Sequence, residues 1–487
     1  MQRAVEATAE PVEVSEATSK STDLSGRQLF ALAFGAIIGV SWLMLVGDWI
    51  RQAGSFGAML AFVLGGALIV PVGLCYARLG QRYPSTGGEI VYAYRFFGSG
   101  AGFCAAWTLA LVYISLCGFE AVSVAWILSE IFAFDQGEPL YQFAGASVFL
   151  ADLCLALVFT LVLARVHIGG LRMAASFQDA TTLLLVLVTF CFLGLAFYGG
   201  SPQNLQPLFA DSATDSSAAE LGGFMTLLLV TPLFFAGFGA VPQALGESSE
   251  RARKRLPAIV VCVIGASILF YVAVIFSTAY ILPFEQIANR PLPVAAAFEL
   301  AFGSELMAKL VLFAGLLGLL TTWNAVLFSA TRVVFVISNA QLALPGFRRR
   351  NRHGSAGRAI WLVSVVTLML AMAGRQALLP IVTIGGVAIC LMFLLVGFCT
   401  LKMQIKEMNA IGWKRLLPAL TIAIAGGLLA INLVYLFGNA QRGEFTELGV
   451  ILVWVLTGAT FWWRGRHYRG SVTDAYRRQR IMGKVDE

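Results

Sequence analysis

The chain has 487 residues, 58% of them hydrophobic and only 13% charged, with a mean hydropathy of +0.79. A soluble globular domain is about 45–50% apolar, so this composition excludes one and points to a membrane protein. The formal net charge of +7 would suit a nucleic-acid surface, but the placement of the basic residues explains it differently.

The first 24 residues are polar, with Glu6, Glu10, Glu13 and Glu16 and no apolar core. They read as a disordered cytoplasmic tail (1–24) and not as a cleavable signal peptide. Twelve apolar runs follow, at 27–51, 55–80, 99–132, 142–165, 173–199, 222–247, 256–282, 303–338, 358–374, 376–401, 415–438 and 446–464. Such runs suit helices that cross the hydrocarbon core. With the N-terminus inside, all but five of the 34 Lys and Arg fall on the cytoplasmic side; the exceptions are Arg51, Arg290, Lys309, Arg375 and Arg442. That asymmetry predicts a multi-pass protein of the inner (plasma) membrane with both termini cytoplasmic. It accounts for the basic excess without nucleic acid. The eight cysteines show no CxxC or metal-like spacing and read as small buried hydrophobes.

Halfway along the first run lies Phe34-Gly35-Ala36-Ile37-Ile38-Gly39-Val40-Ser41-Trp42. Glycine weakens a helix interior by about 1 kcal/mol against alanine. In lipid, a freed backbone group must find a partner in the protein or a cavity. Opening the helix here exposes N–H groups from Val40 to Trp42 and carbonyls from Phe34 to Ile37. These suit a carboxylate and an ammonium respectively. Taken alone, Gly35-xxx-Gly39 also fits a close-packing face between helices.

Between the second and third runs, Arg82 to Arg95 opens with a turn and ends as a short amphipathic helix. It is too polar to cross and is expected at the cytoplasmic mouth. In the sixth run, Gly237 and Gly239 precede Pro242, which removes a backbone donor and disfavours helix at Val241. Proline suits the first residue of a new half-helix, so this run should also break near the midplane. Leu282 to Gly303, interrupted by Pro283, Pro291 and Pro293, reads as an external loop with short helical pieces, a lid or a plain connector. Runs one and six are five apart, which reverses direction across the membrane. Two interrupted spans at matching places in opposed halves indicate an inverted-repeat transporter.

The quoted motifs also resemble the amino acid–polyamine–organocation (APC) permeases. Gly35-Ala36-Ile37-Ile38-Gly39 is similar to their first-span glycine motif. Pro84-Ser85-Thr86-Gly87-Gly88-Glu89 with Tyr92 and Tyr94 resembles their first cytoplasmic loop. Gly237-Phe238 with Glu247 and Pro257 resembles their sixth span and its exit, and Arg332 with Leu344-Pro345 the end of their eighth. The likeness covers roughly 27–465. It implies an all-α integral membrane fold of about twelve transmembrane helices: a five-plus-five inverted repeat (repeat one 27–199, repeat two 222–401, core 25–401). Helices 11–12 (402–465) and a cytoplasmic tail (466–487) follow. Three departures stand out. Trp42 is bulky where a compact side chain is common, and Gly239 replaces a frequent acid. Leu185 is read at the span-five position where some proton-coupled relatives carry lysine.

By the half-helix argument and the resemblance, Ile37, Ile38, Gly39, Val40, Ser41 and Trp42 should bind substrate. Phe234, Phe235, Ala236 and Gly237 complete the site, and Phe234 or Phe235 closes over the substrate. Glu120 lies well inside the third run, where a carboxylate is expensive unless paired, protonated or facing a cavity; it is the candidate proton carrier. Thr321, Thr322 and Asn324 of run eight can offer oxygens to sodium, or simply bond neighbouring helices. Glu89 and Glu247, at cytoplasmic helix ends, are candidates for a gate pair with Arg78, Arg82 or Arg251. Asp48 and Asp152 are weaker candidates. His167, His353 and His467 are read in cytoplasmic loops or the tail, with no catalytic constellation and no phosphate loop, so neither an enzyme nor a cofactor is implied. The reading is a secondary amino acid permease working by alternating access, coupled to a proton or to sodium. A polyamine or monoamine carrier, an exchanger and a non-transporting nutrient sensor are the alternatives.

Overall fold

A computed structural model describes residues 23–134, 137–143, 146–209, 217–287, 290, 292–374, 378–407, 412–470 and 473–482. Nearly all the described regular structure is helical. Span one is a pair of helices, Gly26–Ile37 and Ser41–Ala53, bent by 54° at the break between them. Spans two to eight are Ser55–Arg82, Ser99–Phe132, Leu150–Ile168, Leu171–Gly199, Gly222–Glu247, Leu256–Ile281 and Glu305–Asn339. Span nine is Gly357–Ala371, followed by Leu378–Lys406, Leu416–Gln441 and Thr446–Arg464 as spans ten to twelve. All but span nine are long and apolar enough to cross a membrane; span nine has only 15 residues. It is shorter than the expected 358–374 because the helix stops at Ala371.

Burial sorts the spans into a centre and a rim. Span eight is buried over 83% of its apolar window and span three over 72%, but span twelve over only 11%. Span twelve is nevertheless held firmly, because Trp107 and Trp454 stack at 4.6 Å and each indole N–H donates to the other's backbone carbonyl. Apolar side chains exposed on the rim, such as Leu452, Val453 and Leu456, have lipid as their natural solvent.

Several expected boundaries move. Span four does not begin at 142: Tyr141–Phe143 and Ala146–Val148 form an antiparallel hairpin, and helix starts at Leu150. Aromatic and β-branched residues there read as apolar length but satisfy their backbone across a two-strand ladder. Leu24, expected in a disordered tail, is buried, and its backbone pairs with Glu247 and Ser249; residues 1–22 lie outside the described residues. The expected C-terminal tail contains helices Arg466–Gly470 and Asp474–Met482. They are tied back by Asn339, which donates to the Arg480 carbonyl (3.1 Å), and by Arg469 lying 3.4 Å over the Trp462 ring.

The connection after span seven holds a short turn at Phe284–Gln286 and the helix Pro293–Phe302, which packs against the second half of span one and span eight. Its Phe298 is fully buried beside Phe192. The amphipathic helix between spans two and three is Glu89–Phe97. It is not a surface helix, since every residue from Glu89 to Tyr94 is buried, packed on spans three and ten.

Candidate functional site

The first half of span one ends where Ile38 N–H reaches Phe34 O at 2.9 Å and Gly39 N–H reaches Ile37 O at 3.1 Å. The ladder resumes only when Leu43 N–H donates to Val40 O. Among the described residues, the N–H groups of Val40, Ser41 and Trp42 have no acceptor. These are the donors expected from the sequence, and the expected break is present.

Span six is interrupted more gently. Its helix runs to Phe234, tightens into a 3-10 turn over Ala236–Gly239 and resumes at Ala240. Pro242 is the third residue of the new segment and not the first, a place still inside the turn whose N–H groups lack helical partners. The two breaks touch. A Cβ on Gly237 would lie 2.3 Å from the Ala36 carbonyl carbon and 2.5 Å from Ile37 N. Only glycine permits that approach of backbone to backbone.

Around this contact lies an aromatic wall. Phe235 is fully buried, 5.7 Å from Tyr271 and 6.2 Å from Phe62. Phe234, half-buried, packs on Trp49 at 5.2 Å and Phe62 at 5.6 Å. Trp42 is buried edge-on to Phe270, and its indole N–H has no partner among the described residues. The Tyr271 hydroxyl donates to Ile37 O at 3.1 Å, binding one of the freed carbonyls. Tyr271 and Phe270 were missed from sequence, since a Phe-Tyr pair inside an apolar span carries no signal of its own.

Glu120 faces the same point from span three. A Cβ on Gly39 would lie 3.9 Å from Glu120 Oε1 and 3.4 Å from Thr322 Oγ1. The carboxyl is buried, Oε2 has no partner, and no cation pairs with it among the described residues. Such a group can hold a proton or a cation brought by a ligand.

The Thr322 hydroxyl donates toward Gly35 O (2.7 Å), Ile38 O (3.1 Å) and Gly318 O (3.1 Å). Thr321 donates to Gly318 O at 2.7 Å. A hydroxyl carries one hydrogen, so Thr322 leaves most of these lone pairs facing one spot. That suits a hard cation. Asn324 does not join them. Its amide bonds His167 Nε2 (2.9 Å), Ala174 O (3.2 Å) and Gln178 Oε1 (2.7 Å). His167 is therefore not a loop residue: it is buried in the last turn of span four. Two span-five side chains hydrogen-bond span one: Gln178, seven residues before Leu185, donates to Ala31 O at 3.1 Å, and Asp179 accepts from Arg27 at 2.7 Å.

At the end of the bundle holding Leu24, the expected gate pairs are replaced by others. Arg332 meets Glu247 at 2.8 Å, and Glu89 accepts from Gln243 Nε2 at 2.7 Å. Arg82, Arg95 and Tyr83 converge instead on Glu407. Burial works to raise the Glu407 carboxyl, but these three donors outweigh it and hold it below the usual range. Asp48 pairs with Arg51 on its own helix, and Asp152 accepts from Ser129.

A profile of the amino acid permease family matches residues 24–460. The chain is 25% identical to the amino-acid permease RocC of Bacillus subtilis (strain 168), over 74% of this chain and 76% of that one. It is 24% identical to the branched-chain amino acid permease BcaP of the same organism, over 90% and 92%. It is also 24% identical to that organism's aspartate-proton symporter, over 78% and 73%. A match across nearly the whole length, on a bundle whose first span breaks where the motif stands, means that this multi-pass membrane protein belongs to the amino acid permease family of the APC superfamily.

Proposed function

We propose that the protein carries amino acids across the plasma membrane by alternating access, the carboxylate of the substrate on the amides of Val40 to Trp42 and its ammonium toward the Phe34 to Ile37 carbonyls and Glu120. The observation that carries this is the contact of the two breaks at Gly237 and Ala36, beside a buried, unpaired acid. Repeats 27–199 and 222–401 move against each other about that point, with helices 11–12 outside the repeat. The positive-inside bias puts the Leu24 end in the cytoplasm. There Arg332–Glu247 and the Leu24 backbone pairs hold spans one and six shut.

Proton symport is the favoured coupling, with Glu120 as the carrier; a relative whose name includes proton symport supports it. The oxygens around Thr322 favour a second reading, sodium coupling. The test is labelled amino acid uptake into proteoliposomes under an imposed pH or sodium gradient. Accumulation is expected with the pH gradient and is lost in Glu120→Gln. Accumulation driven by sodium alone moves the coupling to Thr321 and Thr322. Binding without accumulation under either gradient marks a sensor and overturns transport.

A further inference from the structure

A second buried acid sits behind span six, and the site described above does not use it. Glu89 is the first residue of the short helix between spans two and three, and is 1% exposed. Its Oε2 accepts from Gln243 Nε2 at 2.7 Å, and its Oε1 lies 3.7 Å from where a Cβ on Gly239 would stand. Gly239 closes the 3-10 turn that forms the span-six break, and its carbonyl accepts from the Tyr113 hydroxyl at 3.2 Å. The fit is close from both sides. Gly88 has φ +41°, and a Cβ there would lie 2.4 Å from Pro242 Cβ. Hence the helix start is pressed onto the lower segment of span six.

The titratable groups facing Glu89 are tyrosines: Tyr76 of span two, Tyr113 of span three and Tyr92 of its own helix, with Cys399 of span ten beyond Tyr92. No salt bridge reaches Glu89 among the described residues. Two polar atoms beside it are buried and, among the described residues, unsatisfied: Gln243 Oε1 and the Tyr92 hydroxyl. A carboxylate uses the Gln243 N–H as donor; a carboxylic acid needs an acceptor for its own O–H, and the idle Gln243 oxygen is that acceptor once the amide turns over.

We propose that Glu89 is a second proton-binding residue of the transport cycle, acting through Gln243 to hold or release the lower segment of span six. It takes its proton from water at the Leu24 end and returns it there. No other bond changes. Unlike Glu120, it touches no substrate; it is a positioning residue. The proposal rests on the transport reading but not on which ion is coupled.

Burial pushes the Glu89 carboxyl up to about 7, against the hydrogen bonds from its own backbone N–H, Tyr76 and Gln243 that pull it down. Two measurements on the full chain test the role. In nanodiscs, infrared titration should show a carboxyl band that titrates near 7, absent in Glu89→Gln and retained in Glu120→Gln. Substrate counterflow without any gradient should change about tenfold between pH 6 and pH 8, as one such group dictates, and this dependence should flatten in Glu89→Gln. Gln243→Leu, which leaves the acid in place but removes a donor to its charged form, should move both midpoints upward. An unchanged band and profile in Glu89→Gln, or unmoved midpoints in Gln243→Leu, overturns the proposal. Wild-type protein that shows the band but no counterflow refutes transport instead, and leaves Glu89 as a pH-titrating contact only.

Discussion

Two glycines at the breaks face different surroundings, and the distances predict different failures. A Cβ on Gly237 runs into the Ala36 backbone at 2.3 Å, which cannot yield, whereas one on Gly39 has at least 3.4 Å to every neighbour. Gly237→Ala should therefore lower the melting temperature and cut uptake tenfold or more. Gly39→Ala should keep the wild-type melting temperature but raise KM, because its methyl stands between Thr322 Oγ1 and Glu120 Oε1, where the proposed substrate's ammonium goes. A thermal melt beside an uptake curve distinguishes them. Glu89 supplies a pH prediction with a definite sign. Its folded-state pKa, about 7, exceeds the ordinary glutamate value of 4.5. The unfolded chain thus releases its proton first as pH rises, and stability falls between pH 4.5 and 7 and levels off above. Glu89→Gln should remove that slope; a melting curve equally steep with pH in the variant contradicts the assignment. At this scale the sequence was only partly legible. Glu120 and Gly39 announce themselves, being polar or backbone-bare in an apolar run. Gln178 and His167 do not, because their partners Ala31 and Asn324 lie 147 and 157 residues away.

At the scale of elements, apolar length located the spans well and their ends less well. Span twelve begins and ends where the hydropathy does, at Thr446 and Arg464. Span four does not, since a short apolar run is compatible with helix or strand and hydropathy cannot choose between them. The closure at the Leu24 end is another case. Arg332 was legible as a motif residue, but its pairing with Glu247 required two span ends to be brought together. Both side chains are less than a fifth exposed, and a charge-assisted bond in that setting is worth about 1.5–3 kcal/mol. Removing it with Arg332→Gln should shift the closed-to-open balance by about tenfold or more. Hydrogen exchange of the backbone from Leu24 to Leu32 reads this directly. Faster exchange by that factor is expected, and unchanged protection would show that the pair does not hold the ends together.

For the whole molecule, the decisive feature is that two interrupted spans meet through backbone and are walled by aromatic rings. In the proposed function, backbone amides and carbonyls take the part that all amino acids share, which leaves the substrate's side chain open. The breaks were readable in advance because glycine and proline interrupt two spans at matching places five spans apart, whereas one such helix alone also fits close packing. Their mutual contact was not, since no sequence pattern reports that residue 237 lies against residue 36. The most direct test is equilibrium binding to the purified protein of three matched compounds: an amino acid that it transports, the amine lacking its carboxylate, and its methyl ester. Binding of the amino acid alone, with the other two weaker by a hundredfold or more, is the predicted result. Equal affinity for the amine would contradict a carboxylate held on the amides of Val40 to Trp42.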